Sequence, residues 1–340
     1  MALQLLLAVQ LTRAAGTGGP RPCDIYGAAG TPCVAAHSTV RGLYQGYTGP
    51  LYRLQRGSYN ATKDINAELG GYANASAHDG FCRQEPCVVA VIYDQSPHGN
   101  HLVPGPGGGH AHQPDRPVRA SRDRHIVGGH AVYPAYFEGG MGYRRDNTSG
   151  VATGDAAETI YMVAAGDHVN VQCCFDYGNA ETNNRDDGKT TMEAAYLGSN
   201  HGRGARQGAG PWVMADLENG LYLGGGKVGN QSSAVPYAYV TAMLKGRTGG
   251  SFALKAADAA GGGGAGRLVT QYDGPRPAGY SVMRKQGAII LGIGGDNSNQ
   301  GVGTFFEGAM TAGVASDAVD EAVQTSIVAA GYGQDRDHRV

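Results

Sequence analysis

The chain has 340 residues, of which 41% are apolar and 16% are charged, and its formal net charge is −2. A chain of this length and composition can bury a substantial core, as one large all-β domain or as two smaller ones. The charge balance gives no basis for binding nucleic acid or an anionic membrane, since both need a basic surface, and it favours a neutral ligand.

The N-terminal residues 1–16, MALQLLLAVQLTRAAG, contain a short apolar run followed by small residues. They resemble a signal peptide with an incomplete, uncharged n-region, and a truncated start or a first strand fits them equally well. No later segment contains about 18 uninterrupted apolar residues, so the sequence predicts no membrane-spanning helix. The expectation is a secreted, extracellular protein.

The cysteines support an oxidising compartment because they lie in three close pairs: Cys23 with Cys33, Cys82 with Cys87, and Cys173 with Cys174. Local pairs are typical of disulfides, although the sequence alone leaves the connectivity open and buried free thiols are the alternative. A zinc site is not expected, because no Cys-x-x-Cys pairs with a second one or with well-spaced histidines.

The first half of the chain contains a predicted helix, a predicted strand and a long predicted loop. TPCVAAHSTVRGLY (31–44) has the pattern of a short helix, with Thr31 as N-cap and Pro32 in its first turn. The β-branched run CVVAVIYDQS (87–96) predicts a buried strand. Residues 97–130 lack the pattern of a strand or helix and are expected to form a loop.

The histidines of that loop are candidate metal ligands of low weight: His98, His101, His110 and His112. The pair His110-x-His112 could bind a metal. Loop histidines without a fixed scaffold are more often simply solvated, so no metal is expected. No G-x-S-x-G elbow is present, and a serine hydrolase of that type has no support.

The second half alternates short apolar runs with glycine turns. The runs are ETIYMVAA, PWVMADLENGLYLG, AYVTAMLKG, GRLVTQYDG and GAIILGIGG. They predict an antiparallel β-sandwich rather than alternating β and α units. A late helix is expected over residues 317–330, with Val319, Val323 and Ile327 as its apolar stripe and Gly331 after its end. No internal repeat is visible, and one domain is favoured.

Two carboxylates lie inside PWVMADLENGLYLG (211–224), which otherwise has the pattern of a buried strand. Alternation predicts one core face with Val213, Ala215 and Leu217, and a second face with Trp212, Met214, Asp216 and Glu218. The second face begins apolar and ends acidic, as expected where a sandwich face opens into a ligand cleft. Buried unpaired carboxylates are costly, so two together indicate a function, a metal or basic partners. A solvated strand end is the alternative.

A second candidate segment is GAIILGIGGDNSNQG (287–301), where a predicted strand through Ile289 to Ile293 runs into Gly294-Gly295-Asp296. Two glycines allow a ligand to approach the backbone closely and leave Asp296 at the strand end. An Asp-Asn turn that caps a hairpin is the common alternative. An EF-hand calcium loop would need a downstream Glu that is absent.

A third candidate segment is VQCCFDYGNAE (171–181). If the adjacent Cys173 and Cys174 bond to each other, they form a rigid apolar knob, with Tyr177, Asn179 and Glu181 as polar neighbours. Bonding of these two cysteines to other cysteines is the alternative.

At these segments the sequence resembles the catalytic domain of the α-L-arabinofuranosidase B enzymes, glycoside hydrolase family 54. The similar stretches are PCDIYGAAGTPCVAAHSTVRGLY, VIYDQSPHGNHL, CCFDYGNAET, GPWVMADLENGLY, GAIILGIGGDNSNQGVGTFFEGAMTAG and SIVAAGY. They occur in this order from about residue 22 to residue 332, so the resemblance covers nearly the whole chain.

The resemblance implies a jelly-roll-like β-sandwich and a retaining hydrolase that releases terminal arabinofuranosyl groups from polysaccharides or oligosaccharides. It implies Glu218 as nucleophile and Asp296 as acid/base, for which a retaining enzyme needs two carboxyl groups roughly 5 Å apart. The implied sugar-binding positions are Cys173 and Cys174 as a vicinal disulfide, Asp216, Asn219, and the Gly295 backbone. The other implied disulfides are Cys23–Cys33 and Cys82–Cys87.

The resemblance further implies a catalytic domain over residues 17–333 followed by a polar tail, 334–340, with no cofactor and no metal. The expected partner is an arabinose-containing polysaccharide or oligosaccharide, with no nucleic acid, no membrane and a monomeric state. Fungal members also carry a β-trefoil arabinose-binding module that is not found in this sequence, so weaker anchoring on polysaccharide is expected.

One departure concerns Arg203, which stands where the family has a sugar-contacting tryptophan. It leaves open a carbohydrate-binding β-sandwich that has lost catalysis, which would bind arabinose-bearing glycans without turnover. A structural, disulfide-stapled secreted domain is a third reading and predicts no sugar affinity. The enzyme is the favoured interpretation.

Overall fold

The computed structural model describes residues 19–57, 61–83, 85–224, 232–262 and 266–334. The predicted leader, residues 1–16, lies outside the described residues, as does the predicted polar tail after residue 334.

The described residues form three short helices and 21 strands. The helices are α1 (Pro22–Ala28), α2 (Ala75–Cys82) and α3 (Asp317–Val328). The strands are β1 (Cys33–Ser38), β2 (Pro50–Arg56), β3 (Ala61–Asn66), β4 (Cys87–Ile92), β5 (Val103–Pro104), β6 (His125–Val127), β7 (His130–Val132), β8 (Ala135–Phe137), β9 (Tyr143–Arg145), β10 (Glu158–Ala165), β11 (Asp176–Ala180), β12 (Glu193–Gly198), β13 (Arg206–Gln207), β14 (Trp212–Asp216), β15 (Leu221–Tyr222), β16 (Ser232–Ser233), β17 (Tyr239–Arg247), β18 (Ser251–Asp258), β19 (Val269–Pro275), β20 (Ala288–Leu291) and β21 (Gly303–Thr311).

Two seven-stranded antiparallel sheets make up the sandwich. The first sheet has the order β1-β21-β10-β17-β18-β19, with β8 also paired to β21. The second sheet has the order β15-β14-β12-β11-β20-β9-β5. A three-stranded sheet, β3-β2-β4, and two short strand pairs complete the set. The all-β sandwich expected from the sequence is confirmed.

The main core lies between the inner faces of the two sheets. Alternate residues of β10 and β17, such as Ile160 and Leu244, pack there with residues of the second sheet such as Leu197 and Val213. Because side chains of a strand alternate between faces, the opposite faces of both sheets need other cover. The outer face of the first sheet is covered by α1 and by α3, whose Val323 is fully buried.

The outer face of the second sheet is not covered by a helix in the described residues. It carries a small apolar cluster, which contains Cys174, Tyr196, Trp212, Met214, Leu221 and Leu223. Beside this cluster are buried acids, including Asp176 and Asp216. This face therefore carries a buried group of acids beside an apolar cluster.

The predicted helix over residues 31–44 is wrong: this segment contains strand β1, and the helix lies just before it, at Pro22–Ala28. All six residues of β1 are buried, and they divide between the main core and the cluster beneath α3. Apolar cover on both faces suits a strand paired with β21 better than a surface helix with one polar side.

The predicted strand at residues 87–96 is confirmed as β4, which ends at Ile92. The second-half runs form β10, β14 with β15, β17, β19 and β20. The predicted helix at 317–330 is α3, and its N-cap Ser316 accepts a hydrogen bond from the Val319 N–H. The predicted loop at 97–130 is mostly irregular, but it contains the short strands β5 and β6.

The three local cysteine pairs are disulfide-bonded: Cys23–Cys33, Cys82–Cys87 and Cys173–Cys174. The first joins α1 to β1, and the second joins α2 to β4. In the described part of the chain no helix is long and apolar enough to cross a membrane.

Candidate active site

Glu218 lies in the tight turn that joins β14 to β15, not in the strand where alternation had placed it. Strand β14 ends at Asp216, and the Leu217 N–H donates to the Gly220 carbonyl at 3.3 Å across the turn. Glu218 and Asn219 both have positive φ, 63° and 56°. This matches a type I′ hairpin turn, which normally favours Asn and Gly. A glutamate in the left-handed region is uncommon, and such strain concentrates at functional sites.

The alternation predicted for β14 is otherwise confirmed. Val213, Ala215 and Leu217 belong to the main core, whereas Trp212 and Met214 face outward. Trp212 is buried in the outer apolar cluster, and its indole N–H donates to the Gln207 carbonyl at 3.1 Å. It is a packing residue rather than a lining residue of the cavity described below.

Asp216 links the outer face of β14 to the turn that carries Glu218. Its Oδ1 accepts a hydrogen bond from the Glu218 N–H at 3.3 Å. Its Oδ2 lies 3.4 Å from the Sγ of Cys174. Asp216 is therefore held between the turn and the vicinal disulfide.

Asp296 lies in a turn that follows β20. The strand ends at Leu291 rather than at the predicted Ile293, and the Asn297 N–H closes the turn on the Gly294 carbonyl at 3.1 Å. Asp296 Oδ1 accepts from the backbone N–H and the hydroxyl of Ser298, at 2.9 and 2.6 Å. These bonds fix the orientation of the carboxyl group.

A glycine is required at position 295 because the carboxyl groups of two glutamates lie close to its backbone. A Cβ built on Gly295 would lie 2.1 Å from Oε2 of Glu181 and 3.0 Å from Oε2 of Glu218. A side chain at this position would therefore displace both carboxyl groups. The Gly295 carbonyl accepts a hydrogen bond from the guanidinium of the buried Arg144 at 2.9 Å.

The vicinal disulfide is joined to the Asp296 turn by the backbone. The Cys174 N–H donates to the Ser298 carbonyl at 3.1 Å, and the Gln300 N–H donates to the Cys173 carbonyl at 3.1 Å. The two sulfurs and an oxygen of Asp216 lie within 4.8 Å of one another. Sulfurs bonded to each other are not thiolate ligands, so this group does not fit a metal site.

All the predicted site residues line one small cavity of about 190 Å³. Its lining consists of Cys173, Cys174, Asp186, Asp216, Glu218, Asn219, Gly220, Leu221, Gly294, Gly295, Asp296 and Ser298. Larger cavities occur elsewhere, but the residues that line them carry no comparable cluster of acids. The cavity is of a size and polarity suited to one small polar ring.

The site is strongly acidic, and burial keeps part of that charge neutralised by protons. Burial raises the pKa of Asp216 to about 7. Burial and the nearby Asp216 carboxyl raise the pKa of Asp176 well above its usual range. Burial also raises the pKa of Glu181. The pKa of Glu218 is raised by burial and by the neighbouring Glu181 carboxyl group. Like charges this close cannot all be ionised, so the cluster binds protons at neutral pH.

Sequence reasoning missed several residues of this site. Asp176 received no attention, and Glu181 was noted only as a polar neighbour of the disulfide. Asp186, whose Oδ1 accepts a hydrogen bond from the Asn219 amide at 3.0 Å, was also missed. Strand alternation along FDYGNAE, which places Asp176 on the face opposite Tyr177, was an available signal, but the burial of Asp176 depends on the neighbouring strands.

The discounted histidines do not line the cavity. His101 accepts the Asp94 N–H at 3.0 Å, and His112 contacts the carbonyl of Gly108 at 3.1 Å. The His110 N–H donates to the Asp296 carbonyl at 2.9 Å, so the 105–112 loop lies against the acidic turn.

Arg203 lies beside the cavity without lining it. Its backbone pairs with β15: its N–H donates to the Leu221 carbonyl at 2.7 Å and its carbonyl accepts from Leu223 at 2.9 Å. The side chain is exposed, with Cζ 5.7 Å from the centre of the Tyr222 ring.

Comparison with known proteins gives a consistent picture. A sequence model of the family described as "Alpha-L-arabinofuranosidase B, catalytic" matches residues 22–333. A probable alpha-L-arabinofuranosidase B of Aspergillus clavatus is 49% identical over 335 residues, 96% of this chain and 65% of that protein. An arabinofuranosidase/B-xylosidase of Trichoderma koningii is 49% identical over 318 residues, 92% of this chain and 63% of that protein. The chain thus spans slightly less than two thirds of these relatives.

Solved structures agree with the sequence comparison. The crystal structure of an arabinofuranosidase complexed with arabinofuranosyl-α-1,2-xylobiose superposes with a TM-score of 0.86 and 46% identity, covering 92% of this chain and 65% of that one. A mutant of a GH54 α-L-arabinofuranosidase soaked with 4-nitrophenyl α-L-arabinofuranoside superposes with a TM-score of 0.85, also at 46% identity.

Proposed function

This chain belongs to the alpha-L-arabinofuranosidase B catalytic family, and we propose that it hydrolyses non-reducing terminal α-L-arabinofuranosyl groups with retention of configuration. The observation that carries the proposal is the convergence of Glu218 and Asp296, from two separate turns, on one acidic cavity beside a vicinal disulfide. The relatives and structures named above support the same activity.

The proposed reaction uses Glu218 and Asp296 in two steps. In the first, a Glu218 carboxylate oxygen bonds to the anomeric carbon, and the bond from that carbon to the leaving oxygen breaks. Asp296 gives its proton to the leaving oxygen. In the second, Asp296 takes a proton from water, the water oxygen bonds to the anomeric carbon, and Glu218 is released. The Ser298 hydrogen bonds support the role of Asp296 because they fix its carboxyl group, and the strained hairpin turn fixes the backbone that carries Glu218.

The remaining lining residues are proposed to bind the sugar. Asp216 and Asn219 would hydrogen-bond to its hydroxyl groups, and Asp216 would add negative charge beside the oxocarbenium-like transition state. The Gly295 backbone would approach the ring closely. Cys173 and Cys174 would offer it an apolar surface.

The substrate class is proposed to be arabinose-containing polysaccharide or oligosaccharide, and the protein to act outside the cell. A monomeric state and a single catalytic domain over residues 17–333 remain predictions. No cofactor is needed for the proposed chemistry.

The test is release of nitrophenol from 4-nitrophenyl α-L-arabinofuranoside by wild type and by Glu218→Ala, with and without azide. We expect the substitution to reduce kcat roughly 10³-fold or more, because the covalent step is lost. Azide should restore turnover, since a small anion can occupy the space of the removed carboxylate.

Asp296→Ala is the matched comparison. Nitrophenolate leaves without much protonation, so this variant should keep more activity on the aryl substrate than on an arabino-oligosaccharide. A folded wild type with no turnover on either substrate would overturn the enzyme assignment. Binding of arabinosides without turnover would then identify a carbohydrate-binding sandwich.

A further inference from the structure

Glu181 is a buried carboxyl group directly beside Glu218. It follows β11, and its Oε2 and the Glu218 Oε2 lie within 3.0 Å of the same point, the Cβ position that Gly295 leaves free. Glu181 is fully buried and Glu218 is 6% exposed. Among the described residues no group outside this pair donates a hydrogen bond to Glu181 Oε2. Two ionised carboxylates in this arrangement would be strongly destabilised.

The hydrogen bonds of Thr191 indicate where the proton lies. The Thr191 hydroxyl oxygen is 2.6 Å from the Gly188 carbonyl oxygen and 2.5 Å from Glu181 Oε1. Both distances are those of O–H···O hydrogen bonds, so two protons are needed among the three oxygens. Threonine supplies one, and a carbonyl oxygen supplies none. The second proton therefore belongs to Glu181, which donates to Thr191 while Thr191 donates to Gly188.

We propose that Glu181 is a positioning residue that carries a proton on Oε1, held by Thr191, and thereby leaves the adjacent Glu218 ionised as the nucleophile. The inference rests on the proposed function of Glu218. Glu181 does not itself bond to the substrate. Its neutral carboxyl group fills the space beside Glu218 without adding a second charge.

The surroundings of the pair favour a single negative charge. Asp216 and Asp186 both add negative charge near Glu218. Arg144, whose positive charge acts on Glu181, already bonds to Asp146 at 2.5 Å and to the carbonyl groups of Gly295 and Glu181. One glutamate of the pair must stay neutral, and the Thr191 contact selects Glu181.

The test is a double-mutant cycle between Thr191 and Glu181, read as kcat/KM on the nitrophenyl arabinofuranoside. Thr191→Val removes the hydroxyl at nearly constant shape, so the proton can move to Glu218, and we expect a loss of about tenfold. Thr191→Ser keeps the hydroxyl and serves as the matched control. In Glu181→Gln no proton is shared, because the amide donates to Thr191 permanently. In the Glu181→Gln background, Thr191→Val should then lower kcat/KM by less than about threefold.

Equal losses from Thr191→Val in both backgrounds would overturn the proposal, since a packing role is independent of the proton. A hundredfold loss in a folded Glu181→Gln variant would also overturn it, because Glu181 would then be needed as a carboxylate. Thermal unfolding of each variant establishes that it is folded.

Infrared difference spectra separate this inference from the proposed activity, because they need no substrate. The wild type minus Glu181→Gln spectrum should contain the carbonyl stretch of a protonated carboxyl group that shifts in D₂O. If this stretch is absent, the shared proton is excluded even when the enzyme is active. If it is present and shifts in Thr191→Val, in a protein without turnover, the proton assignment stands and the proposed function fails. A stretch that Thr191→Val leaves unchanged would place the proton on Glu218 and overturn the proposal.

Discussion

Asp176 lies on the outer face of the second sheet, two strands away from Asp216. On the intervening β12, Ala194 is directly opposite Asp216, and its methyl group leaves room for the two carboxyl groups to meet. In the described residues no other group donates a hydrogen bond to either oxygen of Asp176. Burial and Asp216 raise the pKa of Asp176, so we infer that Asp176 carries a proton and shares it with Asp216. Its role would be to orient Asp216, the acid proposed to bind the sugar.

This assignment predicts different results for two substitutions of Asp176. Asp176→Asn keeps a neutral hydrogen-bond donor and should retain kcat/KM within about threefold. Asp176→Ala removes the donor and leaves Asp216 unpaired, which should raise KM about tenfold or more. Steady-state kinetics on the nitrophenyl arabinofuranoside measures both. If Asp176→Asn is as impaired as Asp176→Ala, Asp176 acts as an anion and the assignment is wrong.

Arg203 is a second residue whose substitution tests the site, because its backbone pairs with β15 beside the cavity. Its backbone is fixed beside β15, whose Leu221 lines the cavity, so a larger side chain there would lie over Tyr222 next to the cavity. We expect Arg203→Trp to lower KM about fivefold with little change in kcat, because an aromatic face adds stacking area for a sugar ring. Arg203→Leu is the control for loss of charge alone. Equal KM values for the two variants would show that no ring contact forms at this position.

Among the elements, α3 is anchored by a buried charge cluster. Lys245 of β17 and Lys255 of β18 each bond to both Asp317 and Asp320, at distances of 2.5–2.9 Å. The two lysines and Asp320 are buried, whereas the Asp317 side chain is 74% exposed. The cluster holds the first turn of the helix against the first sheet, and the acids also suit the helix N-terminus.

The two aspartates should therefore contribute unequally to stability. Asp320→Ala leaves two buried ammonium groups with one exposed partner and should lower the free energy of unfolding by about 3 kcal/mol. Asp317→Ala removes an exposed partner and should cost about 1 kcal/mol or less. Urea unfolding of both variants gives the comparison. Similar losses would mean that water reaches the lysines and that burial does not decide the energetics.

The elements also show what the sequence could predict. Strands β10 and β17, of eight and nine residues, contain the largely apolar stretches IYMVAA and YVTAML, so their pattern identifies them directly. Strand β1 was missed because Thr31-Pro32 resembles a helix start and CVAAHS contains a single β-branched residue, Val34. Its conformation is decided by pairing with β21 and by burial on both faces, which local patterns do not encode.

For the site, the alternation in β14 and the Gly-Gly-Asp turn identified Asp216 and Asp296. The burial of Asp176 and Glu181 could not be predicted, because it depends on the register of β12 and on the missing side chain of Gly295. The turn conformation of Glu218 was not predicted either, because Glu-Asn is not a typical type I′ pair. The expected roles of the site residues came from the family resemblance, whereas the contacts between them could be seen only in the folded structure.

On the scale of the whole molecule, the buried acids and the buried histidines change the stability of the fold with pH in opposite directions. Burial raises the pKa values of Asp216 and Glu158 to about 7 and that of Asp115 to about 6, so each makes the fold less stable as pH rises from about 4 to 7. Burial lowers the pKa of His78 to about 4, and lowers that of His37 as well. The fold keeps these histidines neutral, so they remove stability as pH falls from about 6.5 to 4.

Asp216→Asn isolates the contribution of Asp216 to the pH dependence of stability from that of the other buried groups, because the variant has no charge to bury at position 216. The wild type loses stability as pH rises from 5 to about 7, because position 216 is ionised in the unfolded chain and still protonated in the fold, whereas the variant does not have this loss. The gain in unfolding free energy on substitution should therefore be larger at pH 8 than at pH 5, by on the order of 2 kcal/mol. Urea unfolding at the two pH values measures it, with the exposed Glu68→Gln as control. A gain that is equal at both pH values would mean that Asp216 ionises as freely in the fold as in the unfolded chain. If the gain is larger at pH 8, the wild type gives up stability at neutral pH because acids are concentrated in its cavity. Asp216→Asn should then lose activity while it gains stability.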